Sequence, residues 1–160
     1  MSSVSSDHIA DHGGDPSRIT ISGHSAGAHL GAAIIAHDWP TGCLGDGMLQ
    51  GAVLVSGIYD PAPAQHLSIS SEIGLTPEMA ARQNFANKAP KLKCPVTVIV
   101  GGGEPVGWID QSKDYARCIR SFGFATEYIV SGKENHFSIQ DQFRDTNSDV
   151  LAAIMKLSNG

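Results

Sequence analysis

Between Arg18-Ile19-Thr20-Ile21-Ser22, a short run rich in β-branched residues, and a run of small and apolar residues from Ala26 to Asp38 stands the pentad Gly23-His24-Ser25-Ala26-Gly27. The first run reads as a strand and the second as a helix. A chain that changes from strand to helix over so few residues must turn sharply, and the turn lifts Ser25 clear of both elements. Glycine two positions to either side fits this geometry, because a side chain at Gly23 or Gly27 is expected to strike the neighbouring strand or helix. The turn also points the first N–H groups of the helix toward whatever Ser25 attacks, which makes the Ala26 amide a candidate donor to an oxyanion. Ser25 is therefore a candidate nucleophile.

The same alternation continues along the chain. Gly51-Ala52-Val53-Leu54-Val55-Ser56 and the run from Pro95 to Val100 are almost continuously apolar, as strands are when both faces of a parallel sheet are covered. Thr126 to Val130 is a fourth expected strand. Helices are expected from Ala26 to about Asp38, stopped near Pro40 and the glycines at 42, 45 and 47, then from about Ile109 to Phe122, and from about Gln140 to Leu157. Met1 to His12 reads as the tail of a further helix, ended by Gly13-Gly14. Tyr59-Asp60-Pro61 closes the second strand. From there to Pro90 the chain is polar and punctuated by proline, with a short helix from Thr76 or Pro77 to about Asn84, and this excursion over residues 61–90 is expected to cap the site. The prediction is an α/β fold, a single domain over residues 1–160 with a parallel sheet and flanking helices, whose reactive groups sit at the carboxyl ends of the strands.

A serine hydroxyl is a weak nucleophile until a histidine takes its proton, and the resulting imidazolium needs a carboxylate to orient and stabilise it. Strand ends can supply all three groups, in the chain order serine, acid, histidine. His136 lies in the loop after the fourth strand and is the only histidine beyond His66, so it is the candidate base. Glu104 directly follows Gly101-Gly102-Gly103 at the end of the third strand and is the favoured acid. Asp110 and Asp114 compete, although both fall in or near the next helix where a charge usually faces water, and Asp60 with Pro61 also fits a plain turn. His24 is expected to point away from Ser25 and pack near the strand ends. His8 and His12 have the i, i+4 spacing of a ligand pair but lack a third ligand, so no metal is expected. His12-Gly13-Gly14 has the look of an esterase oxyanion loop, yet it lies too close to the serine strand to serve as one.

Composition narrows the partner. A formal charge of −5 with 11 basic residues, none clustered, argues against nucleic acid and anionic membrane and leaves a small molecule, with no cofactor. No apolar run is long enough to cross a bilayer and no signal-like segment follows Met1, so a cytoplasmic location is expected. Cys43, Cys94 and Cys118 are odd in number and widely spaced, as buried free thiols are.

Several segments together carry a family resemblance. They are Gly14-Asp15-Pro16-Ser17-Arg18-Ile19 leading into the pentad and on to Leu30, Val55-Ser56-Gly57-Ile58-Tyr59-Asp60, and Leu75-Thr76-Pro77-Glu78-Met79-Ala80 with Arg82-Gln83-Asn84. Gln111-Ser112 and His136-Phe137 with Ile139 complete the set. The chain resembles the α/β-hydrolase superfamily, in particular its kynurenine formamidase branch and the carboxylesterase relatives. The resemblance implies that Ser25 is the nucleophile, Glu104 the acid where relatives usually have aspartate, and His136 the base. It implies hydrolysis of a small ester or amide through an acyl-enzyme, either of N-formylkynurenine, cleaved to kynurenine and formate, or, as in a general carboxylesterase, of a carboxylic ester. Family members carry further strands and a His-Gly-Gly oxyanion loop ahead of the serine strand, so the resemblance is to the C-terminal part of a hydrolase, with about four strands present and the N-terminal strands absent. An open edge on the serine strand then predicts a homo-oligomer or pairing with another chain. The alternative expectation is a truncated, non-catalytic unit that binds or acts as a structural part.

Overall fold

Four strands with β-branched residues at their centres pair in parallel in a computed structural model that describes residues 8–40, 47–66, 72 and 74–159. They are β1 (Ile19–His24), β2 (Leu49–Val55), β3 (Val96–Gly101) and β4 (Thr126–Ser131), lying side by side in the order β1-β2-β3-β4. The helices are α1 (Ala26–Ala36), α2 (Pro77–Arg82), α3 (Val106–Ser121) and α4 (Asp149–Ser158). The opening of the expected N-terminal helix, Gly42, Gly45 and Cys43 lie outside the described residues.

Parallel strands need crossovers, and the crossovers cover both faces of the sheet. β2 and β3 are therefore buried on both sides, and their side chains divide by parity. Ala52, Leu54, Val96 and Val98 join one core with Ala28, Ala32 and Ile35 of α1 and Tyr115, Ala116 and Ile119 of α3. Val53, Val55 and Ile99 join a second core with Ile139 and with Val150 and Ala153 of α4. On α3 the buried positions Ser112, Tyr115, Ala116 and Ile119 recur at helical spacing, which fixes the face it turns to the sheet. α1 packs unusually close: a Cβ added at Gly31 would come within 2.5 Å of Leu54. β1 and β4 are only partly buried.

The register brings the functional ends into line. His24 pairs with Val55 and Gly101 with Ser131, while the amide of Ser56 donates to the Ile99 carbonyl at 2.7 Å. Ser25, Ser56, Glu104 and His136 thus all follow the carboxyl end of a strand on one edge of the sheet.

Several element boundaries differ from those read from sequence. α3 starts at Val106, directly after Pro105, rather than near Ile109: proline fixes its own φ near the helical value and so readily begins a helix, and Gly107 masked the pattern. The expected helix from Gln140 to Leu157 is two pieces, a 3-10 helix over Ser138–Phe143 and then α4. Polar side chains make the break. Asp145 accepts from the Asn147 amide at 2.9 Å, and Ser148 both donates to the Phe-preceding Gln142 carbonyl at 2.6 Å and caps α4 by accepting from Leu151 at 3.1 Å. Ile9–His12 is a 3-10 turn closed by Gly13 at φ 80°.

In the excursion, Thr76 caps α2 by accepting from the Met79 amide at 3.2 Å, with Pro77 at the first helical position. The segment returns along α1 and the turn after β2. Phe85 donates to the Tyr59 carbonyl at 2.8 Å and sets its ring edge-on to His29, and Lys91 and Leu92 both donate to the Ile35 carbonyl.

Candidate active site

Ser25 is the single residue between β1 and α1, and it has φ 57° and ψ −115°, in the left-handed region that side chains rarely occupy. Two features hold it there. Its amide donates to the Val55 carbonyl at 2.9 Å, which carries the β1–β2 pairing into the turn. Gly23 allows the chain to fold back on itself, because a Cβ there would lie 2.4 Å from the Gly27 carbonyl carbon. The expectation of a clash at both glycines holds for Gly23 alone. A Cβ on Gly27 would meet nothing within 4 Å, since that position faces open space. Ala26 is the exposed first residue of α1, and the amides of a first helical turn have no carbonyl four residues back to donate to.

Glu104 lies under this turn with its side chain fully buried. A carboxylate in such a place needs several donors. Oε1 accepts from the Ser56 hydroxyl and from the Gly101 amide at 2.9 Å, and Oε2 faces His136 Nδ1 at 2.8 Å. With Nδ1 committed to the carboxylate, Nε2 of the same ring is presented to Ser25 Oγ at 3.0 Å. Ser25, His136 and Glu104 form one unbroken hydrogen-bonded line. The competing acids lie elsewhere: Asp60 accepts from the Ala62 amide at 3.0 Å in a turn, Asp114 pairs with Arg117 at 3.3 Å on the exposed side of α3, and Asp110 is exposed on the same helix.

The run Gly101 to Gly103 positions both Glu104 and His136. Cβ atoms on these glycines would come 2.1 Å from the Glu134 carbonyl oxygen, 2.2 Å from that of Gly132 and 2.5 Å from that of Lys133. The loop after β3 therefore lies backbone to backbone against the loop after β4, tied by Gly102 donating to Ser131 at 3.2 Å and Gly103 donating to Glu134 at 2.9 Å. Asn135 stiffens the far side of the second loop. Its side-chain oxygen accepts from the amides of Phe137 at 2.9 Å and Ser138 at 3.0 Å.

Ser56 is a member of this cluster that the sequence did not reveal. It is fully buried, has φ 51°, and donates its hydroxyl to Glu104. One signal could have found it: a serine following the apolar end of β2 stands one strand over from Ser25, at the edge where the reactive groups gather. His24 packs near the strand ends as expected, but its contact is the base itself, with ring centroids 4.7 Å apart and planes tilted by 45°. Its Nε2 is buried without a partner. Burial, and then the neighbouring His136, hold the His24 pKa below its ordinary value, against smaller opposing effects of the His136 carbonyl and Glu104. Trp108 and Phe137 approach the His136 ring edge-on at 5.5 Å and 5.8 Å.

The remaining sequence candidates are peripheral. His8 Nδ1 lies 3.7 Å from Asp11 in an exposed pair, and the described residues hold no group of three His, Cys, Asp or Glu suited to a metal. The amides of Gly13 and Gly14 donate to Ala10 and Ile9 at 3.1 and 3.0 Å, so His12-Gly13-Gly14 closes a turn. Cys94 is a buried free thiol whose pKa is pushed up to about 11 by burial, and Cys118 is partly buried and also free. Among the described residues no helix is long and apolar enough to cross a membrane.

The profile of the Carboxylesterase family matches residues 5–121, a span that takes in Ser25 and Glu104. Kynurenine formamidase of Danio rerio is 31% identical over 146 residues, which cover 88% of this chain and 50% of that protein. Kynurenine formamidase of Salmo salar is 31% identical over 147 residues, with the same 88% and 50% coverage. Among solved structures, a truncated form of a carbohydrate esterase from gut microbiota superposes with a TM-score of 0.69 at 19% identity, over 98% of this chain and 65% of that one, a likeness of fold. The chain spans about half the length of the two formamidases it matches.

Proposed function

The chain belongs to the carboxylesterase family, within the α/β-hydrolase superfamily, and from that premise we propose that it cleaves a small ester or amide through an acyl-enzyme on Ser25. The observation that carries this reading is the line from Glu104 through His136 to Ser25, with spacings of 2.8 and 3.0 Å. His136 Nε2 takes the hydroxyl proton as Ser25 Oγ bonds to the acyl carbon. The Ala26 amide donates to the oxyanion, where a preorganised donor is worth about 10²–10³ in turnover. As the tetrahedral intermediate collapses, the bond to the leaving group breaks and His136 returns the proton to the departing oxygen or nitrogen. Water then repeats the sequence on the acyl-enzyme, releasing the acid and restoring Ser25. Glu104 stays ionised, keeps Nδ1–H oriented, and stabilises the imidazolium formed in each half.

The formamidase relatives favour an aryl formamide, N-formylkynurenine, as substrate, giving formate and an aryl amine. A carboxylic ester is the second substrate class, favoured by the family match. A binding unit without turnover is the competing reading.

The test is fluorophosphonate labelling of the 160-residue chain, followed by turnover of N-formylkynurenine and p-nitrophenyl acetate. Labelling that disappears in Ser25→Ala, with turnover of either substrate, is expected. Absence of labelling overturns the mechanism, and labelling without turnover favours the binding unit.

A further inference from the structure

Phe137 directly follows the base, and 78% of its surface is exposed, more than any other large apolar residue described. A single exposed apolar side chain is ordinary on a protein surface. Here the backbone is fixed. The Phe137 amide donates to Asn135 Oδ1 at 2.9 Å, its neighbour Ser138 does the same at 3.0 Å, and the Asn135 amide donates to the Ser138 hydroxyl at 3.0 Å. Three hydrogen bonds around one short turn thus fix the backbone from which the ring projects into water, edge-on to the His136 imidazole at 5.8 Å.

The same ring forms a wall of an open cleft of about 510 Å³ that also includes Gly23, His24, Gln140 and Phe143. Its two charged residues, Asp141 and Arg144, are exposed and pair with each other, and the rest of the lining sets the Phe137 ring beside the polar His24 and Gln140. Its position beside the base matters for chemistry. His136 must hand its proton to the leaving heteroatom, which therefore departs next to the imidazole, and Phe137 is the aromatic ring beside that imidazole in this cleft.

We propose that this cleft receives an aromatic leaving group and that Phe137 is the residue that selects for it. The proposal rests on the acyl-enzyme reading above and adds to it a subsite and a preference. Phe137 acts on the acylation step alone, because the leaving group is gone before water attacks.

The test compares 2-naphthyl acetate with phenyl acetate. The two phenols are of similar acidity and both esters give the same acetyl-enzyme, so the ratio of their kcat/KM values reports ring contact during acylation. The wild-type chain is expected to favour the naphthyl ester by about five- to tenfold, the worth of one good aromatic contact. Phe137→Ala should bring the ratio close to one, Phe137→Leu should retain part of it, and Phe137→Tyr should restore it, with the thermal midpoint unchanged across the set. The deacylation rate, followed after rapid mixing, should not move with any of them. A wild-type ratio near one, or a ratio that survives Phe137→Ala, overturns the subsite while leaving the mechanism intact. Failure of both esters together with absent labelling of Ser25 overturns the mechanism and the subsite with it.

Discussion

The turn that carries Ser25 and the loop pair that carries Glu104 and His136 meet at one edge of the sheet, but they are held there by opposite means. The turn is local: a single residue at φ 57° between strand and helix, with Gly23 folding back onto Gly27 four residues on. The loop pair is non-local. Gly101 to Gly103 press against residues 132–134, some thirty positions away, and Ser56 reaches the carboxylate from a third strand. A local turn can be written in five residues and read from them. A backbone-to-backbone contact between loops depends on the whole sheet being assembled first, so its errors fall on the geometry of Glu104 and His136 rather than on Ser25.

The largest expected effect comes from breaking the non-local side. Gly101→Ala would place a Cβ 2.1 Å from the Glu134 carbonyl oxygen, and since both partners are backbone, one loop must move. A displacement of about 1 Å at the base costs about 10² in turnover. Overpacking of this kind destabilises by about 1–3 kcal/mol. Ester turnover and urea denaturation should both register the change, while fluorophosphonate labelling of Ser25 should slow without its site changing. Equal turnover in Gly101→Ala and wild type would mean that the loop contact does not set the base.

Ser56 sharpens the comparison, because it combines strain with a hydrogen bond. Removing the hydroxyl in Ser56→Ala leaves the buried Glu104 with one donor fewer and keeps the left-handed φ, at a cost of about 1–3 kcal/mol. Ser56→Gly removes the same donor but relieves strain of about 1 kcal/mol. Urea denaturation should rank the glycine variant above the alanine variant. The reverse order would show that the backbone at this position is not strained. Both variants should lower kcat more than they raise KM, since in the proposed mechanism Glu104 acts through His136 and not on bound substrate.

The difference between the two regions also explains what could be read from sequence. The parallel sheet followed from apolar runs such as Gly51 to Ser56, and the turn at Ser25 from its pentad, because each signal is contiguous. The order of strand ends pointed to His136 and Glu104, and the three glycines before Glu104 marked the loop whose carboxylate meets His136. Ser56 left no trace of its role: a serine after a strand looks like any turn residue, and its contact with Glu104 spans 48 positions. The break between Phe143 and Asp149 was hidden for a related reason. Apolar residues on both sides keep helical spacing, while the hydrogen bonds of Asp145 and Ser148 that end one helix and begin the next are visible only in three dimensions.

On the local side the two glycines of the pentad should separate. Gly23→Ala meets the Gly27 backbone and should disrupt the turn, whereas Gly27→Ala enters open space inside the first turn of α1. Replacing a helical glycine by alanine at an unhindered position stabilises by about 0.4–1 kcal/mol, through lost freedom in the unfolded chain. Urea denaturation of Gly27→Ala should show a gain of this size. A loss would restore the expectation that both glycines are sterically required.

The smallest effect belongs to His24, which joins the two regions by packing the last residue of β1 against the base. Its pKa in the folded chain is lowered, mainly by burial and then by His136, below the ordinary value of 6.5. Between that lowered value and 6.5 the unfolded chain binds more protons at this position than the folded chain does. The neutral ring's contribution to stability is therefore fully present above about pH 6.5, falls as the pH drops below it, and is lost once the pH passes the folded value. His24→Phe keeps an aromatic ring against His136 and removes the titration. His136 and Glu104, the titratable groups facing this ring, are the same in both proteins, so the difference between their acid-limb profiles isolates His24. The thermal midpoint of the variant should fall less than that of the wild type between about pH 7 and pH 5. Parallel profiles would mean that His24 takes up its proton as readily in the folded chain as in the unfolded one, and that its contact with the base does not depend on its being neutral.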